Sequence, residues 1–318
     1  MDSVPASLII NRATPHETLA AIREAEERGV PAMWSTLAGI SPDPLTLFGA
    51  AAVQTARINM GTAILPTYPR HPAALASQAQ VLADLAPGRV RLGIGPSHQF
   101  IIEGMYGMPF EHPLENLREY VTVLRGLLWD GAVNFTGRQY RVKARLAGGA
   151  PPPRIPIPVS ALRPPAFRLA GEISDGAISW LCPVPYLVEV ALPALREGAE
   201  AANRPTPPLI GHVPVAISED LPAVRAAAQK LIGPYARAPF YARMFADAGY
   251  PVTADGKMTD ELLDALVVSG NAATVTARLE AIRAQGIDEL MVTTIPVGDV
   301  AAEEAAVGAV LAGLAPDA

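Results

Sequence analysis

Cysteine is nearly absent. Cys182 is the only one in 318 residues, so no intramolecular disulfide can form, which fits a reducing compartment. Alone and flanked by Leu181 and Pro183, it reads as a small buried hydrophobe before it reads as a reactive thiol. Charge is sparse as well. Asp, Glu, Lys and Arg make up 18% of the chain and the net charge is −6, so there is no basic footprint for nucleic acid. No uncharged apolar run approaches the ~20 residues of a membrane span. The start, Met1-Asp2-Ser3-Val4-Pro5, lacks the basic and apolar stretches of a secretory signal. These absences predict a cytoplasmic protein with neither a membrane nor a nucleic acid as partner. The five histidines, His16, His71, His98, His112 and His212, show no paired ligand spacing, so no metal is expected. A serine nucleophile elbow and a phosphate-binding P-loop are also missing.

What is present is apolar sequence cut into short pieces. Half the residues are hydrophobic, enough for a large core, and many of the 32 prolines punctuate the intervals. Residues 7–10, 30–35, 58–65, 89–94, 155–160, 175–180, 209–217 and 289–295 read as strands. Helical patterns follow at 14–28, 43–55, 71–85, 113–128, 164–171, 184–203, 221–231 and 300–314. Thr14, Pro15 and Glu17 form a helix-start signature, and Gly29 a stop. Residues 132–141, with Thr136-Gly137, predict a small hairpin, followed by a Gly/Pro-rich loop over 145–153. Eight strand–helix repeats predict an α/β fold, a (β/α)8 TIM barrel. One barrel domain over 1–318 is expected, with a helical insertion around 233–284.

Function in such a barrel sits in the loops after the strands. Here these loops hold Trp34-Ser35-Thr36-Leu37, Ala63-Ile64-Leu65-Pro66, Gly93-Ile94-Gly95-Pro96-Ser97-His98, Ser160-Ala161-Leu162-Arg163 and Trp180-Leu181-Cys182-Pro183. They are poor in carboxylates. A mouth of small and apolar residues suits an organic cofactor that carries the chemistry itself. Gly93 and Gly95 serve either close packing or a ligand. His98 is either a general acid near neutral pH or a solvated loop residue. Arg163 precedes Pro164-Pro165 at a helix start, where it is either part of a phosphate cradle or an ordinary surface arginine. Trp34, Tyr68, Met105, Tyr106 and Met108 line an apolar substrate pocket or belong to the core.

Tyr68-Pro69-Arg70-His71-Pro72, then Ala76, Gln78, Leu82, Leu85, Gly88-Arg89 and Leu92-Gly93-Ile94-Gly95, resemble the luciferase-like flavin and deazaflavin oxidoreductases. Arg118-Glu119-Tyr120, Phe135-Thr136-Gly137 and Leu169-Ala170-Gly171 before Asp175-Gly176 add to the likeness, which spans roughly residues 30–295. Gly95-Pro96-Ser97-His98, followed by Glu103-Gly104-Met105, is most similar to the branch that uses coenzyme F420, relatives of methylenetetrahydromethanopterin reductase. The resemblance implies a homodimeric barrel enzyme with the cofactor ring at the mouth. It also implies a bulge with a non-proline cis peptide at Ala63-Ile64. By position, Thr36, Ala63, Ile64, Pro66, Ser97 and His98 match residues near the ring. Ser160, Ala161 and Leu162 match the phosphate-tail loop, with Trp180, Leu181 and Cys182 nearby, although Leu162-Arg163 stands where that loop has glycine. Sugar-phosphate dehydrogenases of that branch carry Asp-His after strand two and Glu after strand four; here the positions read Thr36-Leu37 and His98. That departure argues against a sugar phosphate. The implied activity is hydride transfer from reduced F420 to a C=N or activated C=C of a small organic substrate, with His98 supplying a proton. An FMN-dependent monooxygenase is the alternative, and a barrel that binds without turnover is a third reading.

Overall fold

Short runs that are apolar on both faces can be satisfied only where both faces are covered, as in a parallel sheet ringed by helices. The computed structural model, which describes residues 4–37, 39–147 and 154–314, builds such a sheet. Residues 148–153 of the expected Gly/Pro-rich loop lie outside the described residues. The first strand, Ala6–Ile9, pairs with the second, Ala32–Ser35, which in turn pairs with the third, beginning at Asn59–Thr62. The third pairs with the fourth twice, Asn59–Thr62 with Val90–Arg91 and Leu65–Pro66 with Ile94–Gly95. The fourth passes to the fifth, Val159–Ser160, and the sixth, Ala177–Ile178. The seventh, Leu209–Ala216, and the eighth, Glu289–Thr294, return the ladder to the first. Every pairing is parallel, and the ring closes into the expected (β/α)8 barrel.

Four predicted strands differ in detail: the fifth and sixth, read over 155–160 and 175–180, shorten to two residues each, and the third and fourth are interrupted. The runs 58–65 and 89–94 are each broken at the same level, at residues 63–64 and 92–93. The Ala63–Ile64 peptide is cis, as the resemblance implied. Gly93 lies opposite this break. A Cβ there would run into the Thr62 carbonyl, and one at Gly95 into the Ser160 side chain. The glycines of this motif therefore permit close backbone approach.

Most helices begin as their sequences direct. Thr14 and Glu17 form a reciprocal capping box with Pro15 in the first turn, and Gly29 takes φ +83° just after the stop. Helix Pro113–Asp130 carries a half-covered hairpin of Ala132–Thr136 against Arg141–Arg145. Buried Glu119 accepts from the backbone N–H groups of Arg138, Gln139 and Tyr140 at 2.8, 2.9 and 2.9 Å. A Cβ on Gly137 would strike this carboxylate. Two motifs of the resemblance, around Glu119 and Gly137, are thus halves of one clasp.

After the seventh strand come helix Leu221–Leu231, a 3-10 turn at Gly233–Arg237 and helices Pro239–Asp247 and Asp260–Leu266. A short strand, Val268–Ser269, then runs beside the seventh, and helix Ala272–Ala284 leads into the eighth.

Candidate active site at the barrel mouth

Side chains two apart on a strand share a face. On the eighth strand this stacks Glu289, Met291 and Thr293 up the barrel interior. On the seventh it stacks Ile210 and His212, and Ile178 is followed by Trp180. The lower interior is a polar knot in which only Arg91 Nε lacks a partner. The Trp34 indole N–H lies 2.8 Å from Glu289 Oε1 and 3.0 Å from Ser7 Oγ, and Arg91 pairs with Glu289 while lying over the Trp34 ring. An apolar layer of Trp34, Ala63, Ile178, Ile210 and Met291, joined by Ile9, Ile64 and Trp180, separates this knot from the mouth.

Above that layer the Trp180 indole lies parallel to the His212 imidazole, 3.9 Å between centroids and 1° between planes. His212 Nε2 is 2.8 Å from Thr293 Oγ1, and the Leu181 N–H donates to Nδ1 at 3.4 Å. Leu181 holds φ +53°. Burial pushes the His212 pKa down to about 3, so the ring is neutral at physiological pH.

His98 caps a short helix, Gln99–Gly104, between the fourth strand and helix Pro113–Asp130. Its ring stacks on Phe240 at 5.0 Å and Phe100 at 5.6 Å, with Tyr241 edge-on at 6.1 Å. Burial lowers its pKa from the ordinary value. Its Nδ1 is buried without a partner, and Trp180 Nε1 makes no well-formed hydrogen bond, with only the Tyr235 hydroxyl beside it. An unmet buried polar atom costs about 1–3 kcal/mol, so two of them in the mouth mark a place where a ligand or water supplies the missing partner.

The other sequence-predicted residues divide. Ala63, Ile64 and Trp180 meet in the inner cluster. Pro66 pairs beside Gly95, where Ser160 packs. Thr36 accepts from Asn11 at 2.8 Å, and Ser97 holds φ +64°. Ala161 is buried, and the Leu162 carbonyl accepts from the Tyr186 hydroxyl at 3.3 Å. Arg163 stands before helix Pro164–Ile173, but its guanidinium engages Asp247 at 3.0 and 2.8 Å. Cys182 is buried, with its thiol pushed up to about 12, which keeps it a thiol at neutral pH. Arg12 and Arg70, in the loops after the first and third strands, are also paired, with Glu304 and Asp43.

Sequence reasoning missed Tyr235, Phe240, Tyr241 and Asp247, all from the segment after the seventh strand, and the His212–Thr293 pair. The available signals were an aromatic cluster in a chain with 6% aromatics and the period-two alternation placing His212 above Ile210. Among the described residues no three His, Cys, Asp or Glu form a cation cage, and no helix is long and apolar enough to cross a membrane.

Known proteins share this architecture. The chain is 34% identical over 176 residues to the F420-dependent glucose-6-phosphate dehydrogenase of Nakamurella multipartita, 54% of this chain and 52% of that protein. It thus spans about half the length of that curated relative. It is 26% identical over 294 residues to the 5,10-methylenetetrahydromethanopterin reductase of Methanolobus tindarius, covering 86% and 88% of the two chains. The fold matches the coenzyme F420 dependent tetrahydromethanopterin reductase of Methanopyrus kandleri with a TM-score of 0.80 over 99% of both chains, at 22% identity. The description of luciferase-like monooxygenases matches residues 3–289, and the chain belongs to that family.

Proposed function

We propose that the protein is an oxidoreductase that holds coenzyme F420 in its barrel mouth and acts on a small, uncharged organic substrate, reducing a C=N or activated C=C. The observation that carries this reading is the pair of orphaned donors or acceptors, His98 Nδ1 and Trp180 Nε1, inside an aromatic mouth. The relative named as an F420-dependent dehydrogenase supports the choice of coenzyme. When bound, the deazaflavin supplies the hydride.

The residues of the chain do the rest. Ala63, Ile64, Trp180 and the loop at Ser97 form a surface on which a flat ring is oriented. Phe240 and Tyr241, packed on His98, exclude water from one side. Trp180 Nε1 donates a hydrogen bond to the bound ring or substrate. His98, neutral because burial lowers its pKa, holds a hydrogen bond at Nδ1 and relays a proton instead of storing one. The Ser160–Arg163 loop cradles the phosphate end once Arg163 turns from Asp247. Pairing of Arg12 and Arg70 with carboxylates, with Arg163 assigned to the cofactor's phosphate end, favours an uncharged substrate over a sugar phosphate.

The test is a side-by-side titration with oxidised F420 and FMN, followed by absorbance and fluorescence. Reduced F420 is then offered with imines and activated alkenes. Tighter binding of FMN would move the protein to the monooxygenase alternative, and binding of neither would remove the mouth as a cofactor site. The reading includes a cytoplasmic homodimer, which light scattering checks in solution.

A further inference from the structure

The hydrogen bonds around His212 determine its tautomer, and the tautomer determines what Thr293 can do. A backbone N–H is only a donor. Leu181 N–H faces His212 Nδ1, so Nδ1 must be the unprotonated, accepting nitrogen. The ring is neutral, since burial holds its pKa far below the usual range, so its single proton sits on Nε2. That proton points at Thr293 Oγ1, 2.8 Å away. The threonine oxygen therefore accepts, and its own O–H is left to donate. Among the described residues no protein acceptor takes it.

Thr293 is the uppermost member of the inward series of Glu289, Met291 and Thr293. The first two are buried at 4% and 0% exposure, while Thr293 is only half-buried, where the barrel interior opens. Trp180 lies flat on the imidazole and covers it. The imidazole can thus act on the mouth only through the hydroxyl.

We infer that Leu181, His212 and Thr293 form a one-directional hydrogen-bond chain that presents the Thr293 hydroxyl as a donor to an acceptor oxygen or nitrogen of the molecule bound in the mouth. His212 is a positioning residue in this chain, acting through Thr293. The ligand must offer an acceptor at this height, on the side of the barrel opposite His98. A chain of aligned donors polarises its last member, which strengthens the terminal bond. The inference rests on the mouth being the ligand site, and the experiment separates the two.

The protein end is read without ligand. In protein labelled with nitrogen-15, the His212 signals should show an unprotonated Nδ1 and a protonated Nε2, unchanged from pH 8 to pH 6. A proton on Nδ1 would overturn the chain. The ligand end is read by titrating oxidised F420 and FMN into wild type, Thr293→Val and Thr293→Ser. Valine keeps the shape and removes the hydroxyl, so affinity for whichever cofactor binds, or turnover with it, should fall about five- to tenfold, the usual worth of one hydrogen bond. Serine should restore most of it. Thr293→Val equal to wild type in affinity, KM and kcat would overturn the ligand end. If wild type binds neither cofactor, the mouth reading fails and the ligand end falls with it, while the imidazole signals still decide the protein end.

Discussion

The two ends of the barrel interior are built on opposite principles. At the lower end Glu289, Arg91, Trp34 and Ser7 are buried, and the carboxylate and the indole N–H find their partners within the knot. At the mouth His98 Nδ1 and Trp180 Nε1 make no well-formed hydrogen bond, and Arg12, Arg70 and Arg163 are paired with carboxylates. Closed networks rigidify a fold, and open ones are where a ligand completes the structure. The proposed ligand site thus lies where two side chains of the aromatic-lined mouth are left without well-formed partners.

Removing a member of the closed end should have the largest effect. Glu289→Ala strands Arg91 in the interior and should cost about 3–5 kcal/mol in urea unfolding, while cofactor affinity of the folded fraction stays near wild type. A loss below about 1 kcal/mol would mean the lower knot contributes no more than a surface pair.

Acid should weaken the mouth next. His212 stays unprotonated in the folded protein, whereas the unfolded chain takes up a proton near pH 6.5. The unfolded state thus binds more protons as pH falls. Stability is full above about pH 6.5 and drops by up to about 1.4 kcal/mol per unit below it, until the folded pKa is reached. His98 acts in the same direction. Urea midpoints between pH 7 and pH 5 measure the slope, and His212→Gln should flatten it. An unchanged slope in that variant would assign the acid sensitivity elsewhere.

Filling or emptying the open end is a smaller perturbation. His98→Ala should weaken F420 binding about tenfold, and His98→Gln should keep most of it, since one hydrogen bond is at stake. Fluorescence titration decides, and equal affinities in all three proteins would make His98 part of the wall alone. The smallest effect belongs to Asp247→Asn. The pair with Arg163 is half-exposed, so stability should change by less than about 1 kcal/mol, while release of Arg163 should tighten F420 binding. Weaker binding would show that Asp247 orients Arg163 instead of restraining it.

Much of the barrel was legible because strand runs such as residues 209–217 and helix signatures such as Thr14-Pro15-Glu17 are local signals, set by alternation and capping. The breaks in the third and fourth strands were half legible. The glycines at 93 and 95 were visible, but their reason, the Thr62 carbonyl and the Ser160 side chain, is a contact between strands. The mouth was least legible. His98 was legible as a candidate at a strand end, either a general acid or a solvated loop residue, but no local pattern announces that Phe240 and Tyr241, more than a hundred residues later, pack against it. Asp247 opposite Arg163 was hidden for the same reason. Tertiary pairing across distant loops leaves no period in the sequence.

Helix Pro239–Asp247 touches the mouth at His98 through Phe240 and Tyr241 and at Arg163 through Asp247, while Tyr235 just before it stands beside Trp180. Strands four, five and six are therefore roofed. The end of the first strand is more open: Asn11 is exposed and Thr36, which it bonds, is half-exposed, while Met105 and Tyr106 pack on Gly39 farther along. Traffic through such an opening has a direction. A molecule entering the mouth is expected to pass Asn11 and Thr36 first. Whatever remains bound between turnovers belongs beneath the roof, and whatever is exchanged each cycle belongs at the doorway.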